Sequence, residues 1–421
     1  LGVILDVVYN HIGPEGNYMG NYGPYFTDVY RTPWGAALNF DGPYSDEVRR
    51  FFIENAIQWL TDFHIDALRL DALHSIFDNS SLPFIEELSQ RFHQQTKLLR
   101  RHAYLIGESA SNDSRLIRPQ KLGGYGLDAQ WNDDFHHCLH VLLTGENKGY
   151  YQDYHGASDL VKAFDEGFVY TGQYSRYRKR RHGRQSMDIP AHSFVIFSQN
   201  HDQVGNRLKG DRLSEQASFE KLKLAAGTVI LSPFIPLLFM GEEYGETAPF
   251  AYFVHHSDPS LVEAVRRGRH DEFSSFQWQD RIPDPQDKAT FLSARLNHTL
   301  KKRGCHQLLL NFYCELINIR KHNPVFASLN KNNMKVQEVS NNIVWIHRWE
   351  GKRHSLTIFI FTDFVERIKL PFPEGCWNKL LDSASEKWSG NDSHIPGKIE
   401  SFNQVELELN PWSFVVFSKE N

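Results

Sequence analysis

The stretch Ile65-Asp-Ala-Leu-Arg-Leu-Asp-Ala-Leu-His74 decides the fold, because a short apolar run ends there in charged and polar residues. Further segments share this pattern of an apolar run followed by polar side chains. They are Val3–Leu5, Ala103–Ile106, Leu127–Trp131, Ser193–Phe197 and Ile235–Met240. Most of these runs do not alternate strictly between apolar and polar residues, which is typical of parallel strands buried on both faces.

Helical patterns lie between these runs. Ser45 begins one of them, with acidic residues in the first turn, where the helix dipole favours anions, and with apolar residues at i, i+3, i+4 spacing. The segments Leu82–Leu99 and Phe219–Ile230 follow the same spacing. Repeated alternation of strands and helices predicts an α/β fold.

The polar residues all follow the C-terminal ends of the predicted strands. A (β/α)8 TIM barrel builds its active site on that face, and a doubly wound open sheet obeys the same rule. No glycine-rich phosphate-binding loop follows any of these runs in the sequence, which disfavours the nucleotide-binding open sheet. We therefore predict a barrel.

The pattern changes after a long predicted helix, Leu308–Lys321, which Asn323-Pro324 brings to an end. The short apolar runs that follow are separated by Gly, Pro, Asp and Asn, as in antiparallel sheets. They are Ile343–Trp349, Leu356–Phe361, Arg367–Leu370, Val405–Leu409 and Ser413–Phe417. We predict a C-terminal antiparallel β-sandwich domain over residues 330–421, after a barrel over residues 1–329.

Composition excludes several classes of protein. The 421 residues carry a net charge of −5, with 41% hydrophobic and 23% charged residues, which is ordinary for a globular chain. The slightly acidic balance argues against nucleic acid as a partner, and no apolar run approaches the roughly 18 residues of a membrane span. Four cysteines without metal-site spacing predict reduced thiols in a cytoplasmic protein.

Three carboxylates, those of Asp71, Glu108 and Asp202, come at or shortly after strand ends and suit glycosidic bond cleavage. That reaction needs one ionised carboxylate to attack the anomeric carbon and a second that holds a proton for the leaving oxygen. Arg69 lies on the strand face of Asp71 and can keep it ionised, whereas burial would raise the pKa of Glu108 towards that of a general acid. Asp202 can bind sugar hydroxyls and stabilise a cationic transition state.

Four segments that carry these residues resemble the four signature regions of the α-amylase superfamily of retaining glycosidases. They are Asp6–His11, Leu68–His74, Ile106–Ser109 and Ser198–Gln203. Longer stretches resemble the malto-oligosyltrehalose trehalohydrolase family within it, over essentially the whole chain. These stretches are Gly13–Tyr18, Gly23–Asp28, Tyr30–Gly35, Asn39–Pro43, Trp131–His137, Gln199–Arg207 and Phe239–Glu243.

The resemblance implies a function and a set of site residues. Asp71 would be the nucleophile, Glu108 the acid/base and Asp202 the transition-state stabiliser in hydrolysis of the α-1,4 bond next to a terminal trehalose unit. The implied substrate-binding residues are Asp6, Asn10, His11, Arg69, Leu70, Ala72, Leu73, His74, Trp131, Asp133, Asp134, Phe135, His136, His137, His201, Gln203, Val204, Gly205 and Asn206. A branching enzyme or amylase is the alternative within α-glucan enzymes, and a non-catalytic α-glucan-binding protein is the alternative outside them.

The resemblance also implies that Asp6 belongs to the third strand of the family's barrel. We therefore expect a barrel that lacks its first two strands in this chain, and we expect the chain to fold poorly alone because sheet edges stay open. In α-amylases the asparagine at the position of Asn10 often binds calcium. No other ligand cluster accompanies it in the sequence, so we predict no metal and no other cofactor.

Other polar and aromatic residues allow weaker predictions. Neutral histidines such as His11 and His201 can donate hydrogen bonds to sugar hydroxyls, and Trp131 can stack on a glucose ring. The basic run Tyr177–Arg184 favours a solvated loop. His136, His137 and His140 have the spacing of metal ligands but lack a supporting carboxylate motif, which disfavours a zinc site.

Overall fold

A six-stranded parallel sheet forms the centre of the computed structural model, which describes residues 1–32, 34–272, 282–390 and 393–420. The strands before the C-terminal module are β1 (Ile4–Val7), β2 (Phe26–Thr32), β3 (Gly35–Leu38), β4 (Ala67–Leu70), β5 (Tyr104–Gly107), β6 (Ala129–Trp131), β7 (Thr171–Ser175), β8 (Arg180–Gly183), β9 (Phe194–Ile196) and β10 (Ile235–Pro236). The order in the parallel sheet is β1-β4-β5-β6-β9-β10. The other four strands form the hairpins β2–β3 and β7–β8.

Helices cover this sheet and connect its strands. They are α1 (Ser45–Thr61), α2 (Phe84–Leu99), α3 (Asp133–Thr144), α4 (Ala157–Glu166), α5 (His201–Gly205), α6 (Leu213–Gln216), α7 (Phe219–Ile230), α8 (Pro259–Glu272), α9 (Lys288–Ser293), α10 (Gly304–His322) and α11 (Pro324–Ala327). The predicted helix starting at Ser45 is confirmed, and so is the one from Phe219 to Ile230. Within the described ranges, none of these helices is both long and apolar enough to cross a membrane.

The register of the parallel strands brings the predicted catalytic residues to one edge. Asp6 pairs with Arg69 across β1 and β4, and Leu70 pairs with Gly107 across β4 and β5. The next residues along β4 and β5 are Asp71 and Glu108, whose backbone amides still donate to Val7 and Leu70. The two carboxylates therefore leave adjacent strands at the same level.

The α/β fold is confirmed, with the strands arranged as a partial barrel. A closed barrel of this type has about eight strands, and the described chain supplies the six of the parallel sheet. β1 and β10 are its two ends, and Val3 and Ile4, where β1 begins, are more than half exposed.

The C-terminal module is antiparallel, as predicted. Its strands are β11 (Met334–Ser340), β12 (Ile343–Glu350), β13 (Arg353–Ile360), β14 (Glu366–Asp382), β15 (Lys398–Leu409) and β16 (Ser413–Glu420). The long strand β14 pairs with β15 up to Asn378 and with β16 from Asn378 onwards, so one strand joins two parts of the module. The predicted boundary at residues 329 and 330 lies between α11 and β11, and the division into two domains stays a prediction.

Strand alternation gives the module two apolar faces. On β16, Val415 and Phe417 belong to the module's own core, whereas Phe414 and Val416 belong to the core that extends from the parallel sheet. Phe414 packs against α7 so closely that a Cβ atom at Gly227 would lie 2.4 Å from its ring. A glycine is therefore required in the middle of α7, where it costs some helix propensity.

Candidate active site

Arg69, near the C-terminal end of β4, is the centre of an ionic cluster. Its side chain is 3% exposed. Its Nη1 lies 2.8 Å from Asp6 and 2.5 Å from Asp71, and its Nη2 lies 3.5 Å from Glu108 and 3.7 Å from Asp202. One buried guanidinium thus holds together carboxylates from β1, β4, β5 and α5, including all three predicted catalytic residues.

Asp71 is held on both of its carboxylate oxygens. Arg69 binds Oδ1, and Asn10 Nδ2 donates to Oδ2 over 2.9 Å. Its carboxylate is therefore fixed in orientation, as a nucleophile requires.

Glu108 lies in a less polar position than Asp71. Its Oε2 accepts a 2.7 Å hydrogen bond from the backbone amide of Ala72. Ala72 itself adopts a left-handed conformation, with φ of 41°, which a non-glycine residue adopts at some cost.

Burial raises the pKa of Glu108 to about 7. The positive charge of Arg69 opposes this shift, and the negative charges of Asp202 and Asp71 add to it. A carboxylic acid with such a pKa holds its proton near neutral pH and can give it to a leaving group.

Asp202 stands in the first turn of α5. The side chain of Asn200 caps this helix by accepting from the amides of Asp202 and Gln203, and Gln203 Oε1 accepts in turn from the amide of Asn200. This capping box fixes the loop after β9, and it leaves the Asp202 side chain 44% exposed. The carboxylate is therefore open to a ligand in the cleft.

A cleft of about 380 Å³ lies over this cluster. Asp71, Glu108 and Asp202 meet there. Of the residues predicted to bind substrate, six line it: Ala72, His74, Asp133, His137, Gln203 and Asn206. Asp6 and Arg69 lie beneath them in the ionic cluster.

Only some side chains of the segment Asp133–His137 line the cleft, because the segment forms the first turns of α3. Asp133 and His137 are four residues apart and share the helix face that lines the cleft. Asp134 is buried and accepts from Tyr154 and from backbone amides, Phe135 is fully buried, and His136 bonds to Ser198 and Tyr151. The predicted rim contacts of Asp134, Phe135 and His136 are therefore not supported.

Four other predicted substrate contacts also fall away from the cleft. The side chains of Leu70, Leu73 and Val204 are at most 5% exposed and pack in the interior. Gly205 ends α5, and its carbonyl accepts a hydrogen bond from Arg269. These residues shape the backbone that carries Asp71 and Asp202, and their side chains do not reach the cleft.

Two tryptophans lie near the site, and the one predicted to stack on glucose is not the one that lines the cleft. The guanidinium carbon of Arg69 lies 4.4 Å from the ring centroid of Trp131, and His201 packs edge-to-face against the same ring. The prediction that Trp131 stacks on glucose is not supported, because Arg69 covers a face of the ring. Trp34 instead lines the cleft and stacks on His11, with 4.4 Å between the ring centroids.

The basic run is not simply a solvated loop, because Tyr177 and Arg178 line the cleft. They lie in the turn between β7 and β8. Asp153, which is buried, accepts from the hydroxyl of Ser175 and from the amides of Arg176 and Tyr177, and so anchors this turn. Tyr150 and Ala110 also line the cleft. The sequence feature that could have indicated a binding role for this run is the aromatic residue Tyr177 next to several cations.

Asn10 does not fit a calcium site. Its Oδ1, the atom that would bind the ion, lies 2.5 Å from His11 Nδ1. Among the described residues, no group of three or more His, Cys, Asp or Glu side chains is placed to hold a metal ion. The absence of a cofactor stays a prediction.

Known proteins resemble this chain closely. It is 49% identical over 329 residues to malto-oligosyltrehalose trehalohydrolase of Arthrobacter ramosus, a match that covers 78% of the chain and 57% of the relative. It is 47% identical over 321 residues to malto-oligosyltrehalose trehalohydrolase of Saccharolobus solfataricus, covering 76% and 54%. The chain spans little more than half the length of these curated relatives, and no family model matches it.

A solved structure covers the whole chain. It is a protein of Salmonella typhimurium provisionally named alpha amylase, with a TM-score of 0.84 and 34% identity. The match covers 100% of this chain and 68% of the Salmonella protein. Its extent confirms the resemblance seen in the four sequence regions: the chain belongs to the α-amylase family of glycoside hydrolases.

Proposed function

We propose that the protein is a glycoside hydrolase that cleaves the α-1,4 bond next to the terminal trehalose unit of malto-oligosyltrehalose and releases trehalose. The observation that carries the chemistry is the cluster of Asp71, Glu108 and Asp202 on one buried arginine, with the pKa of Glu108 raised to about 7. The relatives named malto-oligosyltrehalose trehalohydrolase support the choice of substrate.

The first step is glycosylation of Asp71. A carboxylate oxygen of Asp71 attacks the anomeric carbon while Glu108 gives its proton to the oxygen of the trehalose unit. The carbon–oxygen bond of the substrate breaks, trehalose leaves, and an ester joins Asp71 to the glucan. Asp202 stabilises the positive charge that develops on the sugar ring.

The second step is hydrolysis of that ester. Glu108, now ionised, takes a proton from a water molecule, and the water oxygen attacks the same anomeric carbon. Asp71 leaves as a carboxylate and Glu108 is again protonated. Two inversions at one carbon give retention of the α configuration.

The remaining residues of the cleft are proposed to hold sugars. His74, Asp133, His137, Gln203 and Asn206 offer polar groups to hydroxyls. The rings of Trp34, Tyr150 and Tyr177 also line the cleft, and aromatic faces are suited to the apolar faces of glucose. We propose a cytoplasmic location, where the free thiols of the protein would stay reduced.

Comparison of two substrates tests this proposal. The purified protein is incubated with malto-oligosyltrehalose and, separately, with malto-oligosaccharide of equal glucose number. We expect free trehalose from the first and little glucose or maltose from the second. Equal cleavage of both substrates would indicate an amylase. Transfer of glucan to a 1,6 branch would indicate a branching enzyme, and binding without cleavage would indicate a non-catalytic protein.

A further inference from the structure

Asn10 is a buried amide that joins two groups of the site. It is 1% exposed and lies just beyond the end of β1. Its Nδ2 lies 2.8 Å from the main-chain oxygen of Asp71 and 2.9 Å from Asp71 Oδ2. A main-chain carbonyl can only accept a hydrogen bond, so the atom of Asn10 that faces Asp71 is the amide nitrogen.

The opposite side of the same amide fixes the proton on His11. With Nδ2 turned to Asp71, the amide oxygen Oδ1 lies 2.5 Å from His11 Nδ1. An amide oxygen can only accept, so Nδ1 carries the hydrogen. Burial lowers the pKa of His11, against the charge of Asp71, and the ring is therefore neutral with a lone pair on Nε2.

His74, which lines the cleft, has the opposite arrangement. The backbone amide of Ala110 donates to His74 Nδ1 over 3.3 Å, so Nδ1 accepts and Nε2 carries the hydrogen. Burial and the charge of Arg178 lower the pKa of His74, which keeps this ring neutral as well. The two histidines therefore present different groups at Nε2, an acceptor on His11 and a donor on His74.

We propose that Asn10 is a positioning residue that orients the Asp71 carboxylate and holds His11 as the Nδ1–H tautomer. The inference rests on the proposed role of Asp71. It also reverses the expectation that His11 donates to sugar hydroxyls, because the free nitrogen of the ring accepts. Trp34, stacked on His11 at an interplanar angle of 11°, holds the ring in the plane that this contact requires.

The tautomer is tested in the wild-type protein without substrate. Histidine labelled with ¹⁵N is incorporated, and two-bond ¹H–¹⁵N correlations distinguish protonated from unprotonated ring nitrogens. His11→Gln and His74→Gln assign the two rings. We expect a protonated Nδ1 for His11 and a protonated Nε2 for His74. A protonated Nε2 on neutral His11 would overturn the inference.

The positioning role is tested with two variants. Asn10→Asp keeps an acceptor for His11 but removes the donor to Asp71, whereas Asn10→Leu removes both. We expect kcat to fall about 10²-fold in each, with KM within about threefold, because the nucleophile loses its orientation. His11 should keep a protonated Nδ1 only in Asn10→Asp.

Asn311→Asp, on the exposed face of α10, is the matched control and should keep wild-type kcat. Wild-type kcat in Asn10→Asp or Asn10→Leu would overturn the positioning role. Kinetics are measured on whichever α-glucan the wild type cleaves, so failure to release trehalose is distinguishable from failure of this inference. If Asn10→Leu does not fold, Asn10→Asp and the wild-type spectrum still decide.

Discussion

Two buried cations are surrounded by different kinds of protein groups. They are Arg69 at the edge of the parallel sheet and Lys223 where α7 meets the C-terminal module. Arg69 faces the carboxylates of Asp6, Asp71, Glu108 and Asp202. Lys223 Nζ instead donates to the carbonyls of Ser383 and Trp388 and pairs with one carboxylate, that of Glu220.

The difference separates the proposed catalytic region from one that only supports the fold. At Lys223 the positive charge is matched by one carboxylate and two neutral carbonyls, and burial lowers the pKa of its ammonium group. Around Arg69 four carboxylates face one guanidinium, so the negative charges outnumber the positive one. The excess appears as the raised pKa values of Asp6 and Glu108, in each of which burial is the largest cause.

Replacement of Asp71 should give the largest effect at the reactive edge. In Asp71→Asn the carboxylate that would attack the anomeric carbon is absent, and turnover should fall by about 10⁴-fold and at least to below about 1%. The melting temperature should change little. Asp62→Asn, an exposed aspartate at the end of α1, is the control and should be fully active. Turnover above about 1% in Asp71→Asn would show that another group is the nucleophile.

Replacement of Glu108 should have the next largest effect, and the effect should depend on the leaving group. We expect Glu108→Gln to lower kcat by about 10²- to 10⁴-fold on a glucan, because the leaving oxygen receives no proton. An aryl glycoside with an acidic phenol needs no such proton, so formation of the glycosyl-enzyme, measured as the burst of phenol, should be largely retained. An equal loss on both substrates would contradict the role of general acid.

Replacement of Gly227 should affect stability and leave chemistry unchanged. In Gly227→Ala the new Cβ would lie 2.4 Å from the ring of Phe414, and the module must shift away from α7. We expect a loss of about 1–3 kcal/mol in the free energy of unfolding, measured with urea, and an unchanged kcat for the folded enzyme. Gly268→Ala, whose Cβ would meet no atom within 4 Å, is the control and should be no less stable than wild type.

The pH profile should give a graded effect, which is smallest near pH 7. Glu108 must be protonated to act as an acid, and its protonated fraction falls as the pH rises through about 7. We therefore expect kcat/KM to fall about tenfold per pH unit above that value. A profile that stays flat to pH 9 would show that Glu108 is not the group whose protonation limits the reaction. Titration of Glu108 by infrared difference spectroscopy checks the assignment.

The strand-end residues were predictable because they depend on local patterns. Short apolar runs locate β4 and β5, and parallel pairing then places Asp71 beside Glu108 without further information. The sequence did not reveal that residues 133–137 begin the helix α3. It therefore did not show that, of these five residues, Asp133 and His137 are the two that line the cleft. A segment of polar and aromatic residues shows its periodicity only where its buried face is known.

The aromatic residues of the cleft could not be ranked from the sequence, because their positions depend on contacts between distant segments. Trp131 is covered by Arg69 from β4, and Tyr177 reaches the cleft because Asp153 anchors the turn before it. Neither partner is a sequence neighbour. The sequence therefore shows that aromatic rings are available, while tertiary pairing decides which of them lines the cleft.

The alternation of apolar side chains along β16 has a consequence for how this protein can evolve. Phe414 and Val416 complete the core of the parallel sheet, while Val415 and Phe417 belong to the core of the module. Neighbouring residues of this one strand therefore have to fit different cores. A module transferred from a distant relative would need side chains on β16 that fit α7 on one face and the rest of the module on the other. Recombination should therefore preserve the sheet and the module as one unit, and changes on β16 should be accompanied by changes around Gly227.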